Sequence, residues 1–283
     1  MFGFSLILGT IGRTNDVELL LSSLEAQTRR DFELIVVDQN PDNRLEPILL
    51  PYKSIFPVLH LRSKPGLSRA KNLGLEHASG EIIGFPDDDC SYPAGLLEKV
   101  AQFFEDHPEW DGLTIRSMDE FGIESGGKSA RRSGTINKFN VWNRGGAYTM
   151  FVRAESVRGI RYDEDMGPGA GTEWGAGDDK DYLLQILDRG GSLFYNRRLA
   201  ALHPHRTMPY EKALYRAYTY ECGAGRAIQK HDFPLWFKVG WVIKPLGGLV
   251  LYLLGLKQPP GVGWRWNIFK GRLRGLWPRR AIG

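Results

Sequence analysis

Cysteine is nearly absent. Cys90 and Cys222 are the only two in 283 residues. They lie far apart and fit no metal-binding spacing, which excludes a disulfide scaffold and a thiolate zinc site; both read as free thiols in a reducing compartment. Long apolar runs are missing too. The most apolar stretch, Val239 to Leu256, is interrupted by Lys244-Pro245 and Gly247-Gly248, whereas a spanning helix needs about 20 predominantly apolar residues. The opening Met1-Phe2-Gly3-Phe4-Ser5 has no basic leader, which argues against a cleaved secretory signal. There is no repeat and no low-complexity block. Acidic residues stop at Asp232, after which come nine basic residues and five of the eight tryptophans. The preceding part therefore holds 28 basic against 33 acidic residues, a net of −5. Such a split calls for a partner of its own. An acidic body without a recognised nucleic-acid module argues against RNA or DNA as that partner.

What is present is an alternation of short apolar runs and helical patterns. Phe4 to Leu8, Glu33 to Val37, Val58 to Leu61 and Glu81 to Phe85 read as strands. Ala147 to Val152 and Leu193 to Tyr195 are strand-like as well. Between them, Val17, Leu20, Leu21 and Leu24 share a helical face, and Leu67 to Ala78, Leu96 to Phe104 and Asp178 to Asp188 read as further helices. Strands alternating with helices predict an α/β fold with a mainly parallel sheet flanked by helices. In such sheets ligands bind beyond the carboxyl ends of the strands. Thr10, Asp38 and Asp87 each follow a strand, so one crevice is able to hold all three.

Three constellations carry chemistry. Asp87-Asp88-Asp89 follows the apolar strand directly. It is either a solvated acidic turn capping the next helix or a site where Mg²⁺ or Mn²⁺ neutralises crowded carboxylates and takes further ligands from phosphates. The second is the loop Gly167 to Gly177, with five glycines, running into Asp178-Asp179-Lys180-Asp181. Trp174 in this loop offers a flat face for a sugar ring. Asp178 and Asp179 are either ordinary charges at a helix N-terminus or, in the functional reading, a general base beside a bound hydroxyl. The third is His203-Pro204-His205 at a strand exit near carboxylates; these histidines are either structural or metal ligands, His203 being assigned to the metal with Asp87 and Asp89 while the choice between His203 and His205 stays open.

The ordered set resembles the family-2 glycosyltransferases of GT-A (Rossmann-like) fold over about residues 4 to 205. Phe4 to Thr10 with Arg13 is similar to their opening strand and nucleotide loop, and Glu33 to Asp38 to the strand whose end holds the base. Gly66-Leu67-Ser68-Arg69-Ala70-Lys71 is similar to their basic helix start, Asp87-Asp88-Asp89 to their DxD metal motif, and Trp174 to Leu183 to the motif carrying the catalytic base. The resemblance implies an inverting transfer from a nucleotide-diphosphate sugar. Thr10, Arg13, Asp38 and Gln39 would hold the nucleoside, Arg69 or Lys71 the diphosphate, and Asp87 and Asp88 the donor. Asp87, Asp89 and His203 would hold Mg²⁺ or Mn²⁺, with Asp179 as base and Trp174 and Asp178 on the acceptor side. Many relatives have a second aspartate where this chain has Gln39, whose amide can both accept and donate, so uracil and thymine both stay open. The QxxRW motif of processive synthases is absent, which argues for moving one hexosyl or deoxyhexosyl unit.

The expected layout is therefore residues 1–205 as the transferase domain and 206–283 as a helical, basic, Trp-rich tail. That tail is expected to lie peripherally on an anionic membrane surface, on the cytoplasmic side; the other reading is a helical lobe packed on the core. The acceptor would then be a glycan or lipid-linked glycan in bacterial cell-surface polysaccharide synthesis. Two alternatives stay beside this one: a sugar-phosphate nucleotidyltransferase, faintly echoed by Gly9-Thr10-Ile11-Gly12-Arg13, and a catalytically silent membrane adaptor.

Overall fold

The computed structural model describes residues 2–127, 129–255 and 261–277. The chain divides into two compact units, one of residues 1–161 with 182–205, the other of 162–181 with the segment from 206 onward.

The first unit is built on β1 (Phe4–Thr10), α1 (Asn15–Glu25), β2 (Phe32–Asp38), the short α2 (Glu46–Leu49), β3 (Val58–Arg62), α3 (Leu67–His77), β4 (Ile82–Gly84), α4 (Leu96–Asp106), β5 (Gly112–Met118), β6 (Gly134–Ile136) and β7 (Met150–Arg153). After α5 (Asp178–Asp188), whose first turn belongs to the second unit, comes β8 (Leu193–Leu202). The eight strands form one sheet in the order β3-β2-β1-β4-β7-β5-β8-β6. The first four in that order run parallel, and β7 is antiparallel to both β4 and β5. This is the mixed α/β fold the alternation predicts. Every residue of β1 and of β2 is buried, as expected for central strands covered on both faces. Val17, Leu20, Leu21 and Leu24 of α1 bury the anticipated stripe. Glu33 is the polar exception inside β2; its carboxylate accepts from Ser5 Oγ at 2.6 Å and from Ser79 N and Oγ at 2.9 and 2.7 Å. β5 and β6 were not among the expected strands; β6 is three residues long within a Gly- and Ser-rich segment, too short for a period-two signal.

The second unit is helical: α6 (Tyr210–Lys230), α7 (Leu235–Leu253) and α8 (Val262–Gly275). Lys244-Pro245 interrupts the apolar stretch of the tail in sequence, yet α7 runs through it, with Pro245 inside the helix. A proline in a helix removes the N–H that would serve the carbonyl four residues back. Here that carbonyl is Trp241 O, and Arg272 Nη1 of α8 donates to it at 2.7 Å. The same guanidinium pairs with Glu221 of α6 through Nε at 2.7 Å and stands 4.1 Å from the Trp241 ring centre. One arginine thus ties three helices and mends the proline gap. Among the described residues no helix is long and apolar enough to cross a membrane. Both α7 and α8 nevertheless expose apolar faces, with Leu235, Trp236, Val239, Ile243 and Val250 on α7 and Val262, Trp266, Leu273 and Trp277 along α8 or just past its end. Lys257, Arg279 and Arg280 of the basic tail lie outside the described residues.

Candidate active site

In the first unit, the parallel register sets Thr10 at the end of β1 beside Asp38 at the end of β2. β4 stops at Gly84, and Phe85-Pro86 carries the chain into the acidic turn. Thr10 Oγ1 donates to Asp88 Oδ2 at 2.7 Å. Arg13 Nη1 reaches both Asp88 Oδ1 at 2.6 Å and Asp89 Oδ2 at 2.5 Å. The turn closes through Cys90 N on Asp87 O at 3.1 Å, and Ser91 pairs with Leu202 as an isolated bridge at the end of β8. That bridge brings His203 to the turn, its Nε2 3.2 Å from Asp89 Oδ1 and its ring stacked on Tyr148 at 4.9 Å. Asp87, Asp89 and His203 offer ligand atoms all within 4.8 Å of one another.

The electrostatics follow from this crowding. For Asp88, burial dominates and raises the carboxyl above its usual range, against the Thr10 hydrogen bond and Arg13. Burial opposes ionisation of Asp89 as well, but His203 and Arg13 outweigh it and hold the carboxyl at about 2. His203 is raised above its ordinary value: burial works against its charge, and Asp89 and Asp87 overcome that. Two carboxylates and an imidazole suit a hard or borderline divalent ion such as Mn²⁺. In the described structure the Arg13 guanidinium supplies positive charge to the same turn. A cavity of about 470 Å³ opens beside Asp89 and His203, lined also by Asp16, Leu19, Asp119 and Phe121. His205 turns elsewhere, its Nε2 3.0 Å from Glu124 O.

The other candidates of this unit sit at the neighbouring strand ends. Asp38 is fully buried; Asn40 N and Nδ2 donate to its Oδ1 at 2.8 and 2.7 Å, and Arg62 Nη1 reaches its Oδ2 at 2.5 Å. Gln39 accepts from Gly66 N through its side-chain oxygen at 2.6 Å. Arg69 Nη1 donates to Pro65 O at 3.0 Å, whereas Lys71 is buried. Asn40, His60 and Arg62 around Asp38 escaped the sequence reading; the basic, alternating His60-Leu61-Arg62 at a strand end was the available signal.

In the second unit, the glycine loop packs on α6. Gly177 has φ +86°, and Gly223 lies so close that a Cβ on it would fall 1.8 Å from Ala176 O. Trp174 does not present the open face expected of it. The indole is buried, with the Arg226 guanidinium 4.8 Å from its ring centre. Arg274 holds Glu173 of the same loop at 2.5 Å. The loop delivers Asp178 and Asp179 to the first turn of α5, Asp178 buried and Asp179 partly exposed. Burial pulls the adjacent Lys180 down to about 8, against the charges of Asp179 and Asp178. Asp181 is fully buried and paired with Lys230 Nζ at 2.8 Å and His231 Nε2 at 3.0 Å. Despite burial, those partners hold its carboxyl below the usual range.

Residues 5–155 match the family model described as Glycosyl transferase family 2. The glycosyltransferase AglE of Haloferax volcanii is 25% identical over 261 residues, 85% of this chain and 82% of that protein. The Campylobacter jejuni GalNAc(5)-diNAcBac-PP-undecaprenol beta-1,3-glucosyltransferase is 25% identical over 60% of this chain and 58% of its own length. Matches to other curated relatives span 35% and 38% of their lengths. Among solved structures, the mannosyltransferase PcManGT from Pyrobaculum calidifontis, in complex with GDP-Man and Mn²⁺, superposes with a TM-score of 0.60 at 14% identity, over 97% of this chain and 87% of its own.

Proposed function

The chain belongs to glycosyl transferase family 2, and from that premise we propose that it transfers a single hexosyl or deoxyhexosyl unit, with inversion, from a nucleotide-diphosphate sugar to an acceptor hydroxyl. Family membership takes the place of the nucleotidyltransferase alternative. The observation that carries the donor half is the convergence of Asp87, Asp89 and His203 beyond the strand ends, with Thr10 and Arg13 bracing the same turn. Asp87, Asp89 and His203 would hold Mg²⁺ or Mn²⁺, which when bound offsets charge on the leaving diphosphate. Thr10 and Arg13 hold Asp88 and Asp89 in position before the donor arrives, so little reorganisation is left for the reaction. Asp38 and Gln39 face the nucleoside, and Arg69 meets the diphosphate. Asp179 takes the proton of the acceptor hydroxyl as that oxygen attacks the anomeric carbon opposite the leaving group.

The acceptor is a glycan carried on a lipid, in the synthesis of a bacterial cell-surface polysaccharide. The name of the Campylobacter relative, with its undecaprenol diphosphate, supports this class. So does the tail, whose exposed Trp and Leu beside Lys and Arg suit the headgroup layer of an anionic membrane. The protein then works as a peripheral membrane enzyme on the cytoplasmic face.

Titration calorimetry with UDP-, dTDP- and GDP-sugars, with Mn²⁺ or with excess chelator, tests the donor half. We expect one donor class to bind only with metal, and Asp89→Ala to abolish that binding with the fold retained. Donor turnover by Asp89→Ala, or by wild type in chelator, would refute the metal assignment. Absence of any donor binding with metal would favour the silent adaptor.

A further inference from the structure

The transfer reading gives no role to a cavity of the second unit. It lies between α7 and α8, measures about 400 Å³ and is lined by Lys244, Gly248, Leu251, Arg265, Ile268 and Arg272 among others. We propose that it binds the phosphate or diphosphate group of a membrane lipid.

Arg265 carries the argument. It is only 9% exposed, and its Nε is buried with no hydrogen-bond partner among the described residues. No carboxylate is available to it from its own helices, because the chain has no acidic residue after Asp232. Glu221 of the neighbouring α6 is taken by Arg272 at 2.7 Å. The guanidinium stands 6.0 Å from the Tyr252 ring centre, a contact that leaves the buried Nε N–H unanswered. α7 also makes room for it: a Cβ on Gly248 would fall 2.5 Å from Arg265 Nη1. A buried cation without a counter-charge is strongly unfavourable. A fold that keeps a space at such a group, and adds Lys244 to the same wall, is built to receive an anion.

The chemistry selects which anion. A guanidinium fork beside an ammonium matches phosphate oxygens. Leu251 and Ile268 supply an apolar wall, and Leu251 continues onto the exposed face of α7. The ligand is therefore a phosphate with hydrocarbon attached. The bilayer's own phospholipid and an isoprenoid diphosphate share that chemistry.

The site deepens the membrane-surface reading above and draws its lipid from it, so the full-length protein is tested in two media. In solution, without a bilayer, farnesyl diphosphate is titrated against wild type, Arg265→Gln, Lys244→Gln and Lys270→Gln. Lys244 and Lys270 are exposed, so those two variants keep the fold even where Arg265→Gln does not. We expect affinity to fall roughly tenfold in Arg265→Gln and in Lys244→Gln, the loss of one charge-assisted contact, and to stay unchanged in Lys270→Gln. In parallel, flotation is measured with phosphatidylglycerol–phosphatidylcholine vesicles. Farnesyl diphosphate binding with this pattern supports the site and an isoprenoid source, even if the vesicles float alone and the membrane reading fails. Vesicle binding weakened by Lys244→Gln and Arg265→Gln beyond Lys270→Gln, without farnesyl diphosphate binding, supports the site and a phospholipid source. Vesicle binding equally sensitive to all three variants overturns the site and leaves the membrane reading standing. Inorganic pyrophosphate that binds as tightly as farnesyl diphosphate overturns the lipid assignment.

Discussion

Gly223→Ala puts the link between packing and chemistry to the test. The added methyl carbon would lie 1.8 Å from Ala176 O and 2.5 Å from Ala176 C. Ordinary contact begins near 3.4 Å, so the Ala176 peptide and α6 have to part by about 1.6 Å. Both partners are backbone, and neither can yield by a change of rotamer. Gly177, at φ +86°, meets Gly223 from the other side of the contact, where a Cβ on Gly177 would fall 2.6 Å from Gly223 C and O. The strain therefore moves the segment that ends in Asp178 and Asp179. Overpacking of this kind costs about 1–3 kcal/mol, read as a lower denaturation midpoint. A catalytic group misplaced by about 1 Å loses on the order of 10²-fold in rate. We expect kcat to fall by roughly that factor while donor affinity, which draws on the first unit, holds. Gly240→Ala is the control, since nothing lies within 4 Å of a Cβ there and alanine favours a helix interior by up to about 1 kcal/mol. A Gly223→Ala protein with wild-type kcat would refute the claim that this contact sets the position of the base, whatever its stability.

Two further perturbations follow from the same helix. Asp179→Asn keeps the shape and removes the base, so turnover should drop about 10²–10⁴-fold with donor affinity retained; if Asp178→Asn is the dead variant instead, the roles of the pair are exchanged. Asp181→Asn breaks a buried pair with Lys230 and His231 and should cost about 3 kcal/mol at pH 7, near the lower end for such pairs because Lys230 is partly exposed. Its folded carboxyl is depressed below the ordinary value. The stabilisation is therefore complete above the unfolded value of about 3.9 and fades as pH falls through the folded one. Urea melts of both proteins at pH 7 and pH 3 read this directly, and a gap that fails to narrow in acid would contradict it.

The parts of the fold that were legible in the sequence are those whose signal is local. β1 and β2 announce themselves because both faces are buried, so each carries a continuous apolar stretch, Leu6 to Leu8 and Leu34 to Val37. α1 and α4 do so because one apolar stripe repeats at helical spacing. The convergence of Asp87, Asp89 and His203 was legible for a mixed reason. The acidic turn stands out locally, but the partnership of Asp89 with His203 depends on the Ser91–Leu202 bridge joining positions more than a hundred apart. No local pattern encodes that bridge; the family resemblance and the two histidines stood in for it. Trp174 shows the opposite case. A tryptophan in a glycine-rich loop reads as exposed, and it is Arg226, about fifty residues further along the chain, that covers it. Asp181 was hidden among four charged residues, although its position one helical turn after Asp178 already pointed it inward.

The tail shows why counting charges differs from placing them. Nine basic residues follow Asp232, and near an anionic surface each contributes roughly 1 kcal/mol. Packing spends two of them elsewhere: Arg272 is engaged by Glu221 and the Trp241 carbonyl, and Arg274 by Glu173. Among the described residues, Lys238, Lys244, Arg265 and Lys270 remain without a carboxylate partner. Four of the six described basic residues are therefore left for an anionic partner, and Arg265 contributes through its cavity and not through the outer surface. On the proposed membrane surface, attachment by this part would lean on the apolar faces of α7 and α8 as much as on charge. Salt should weaken vesicle binding less than nine free charges would require, and the cavity variants should matter more than any single exposed lysine.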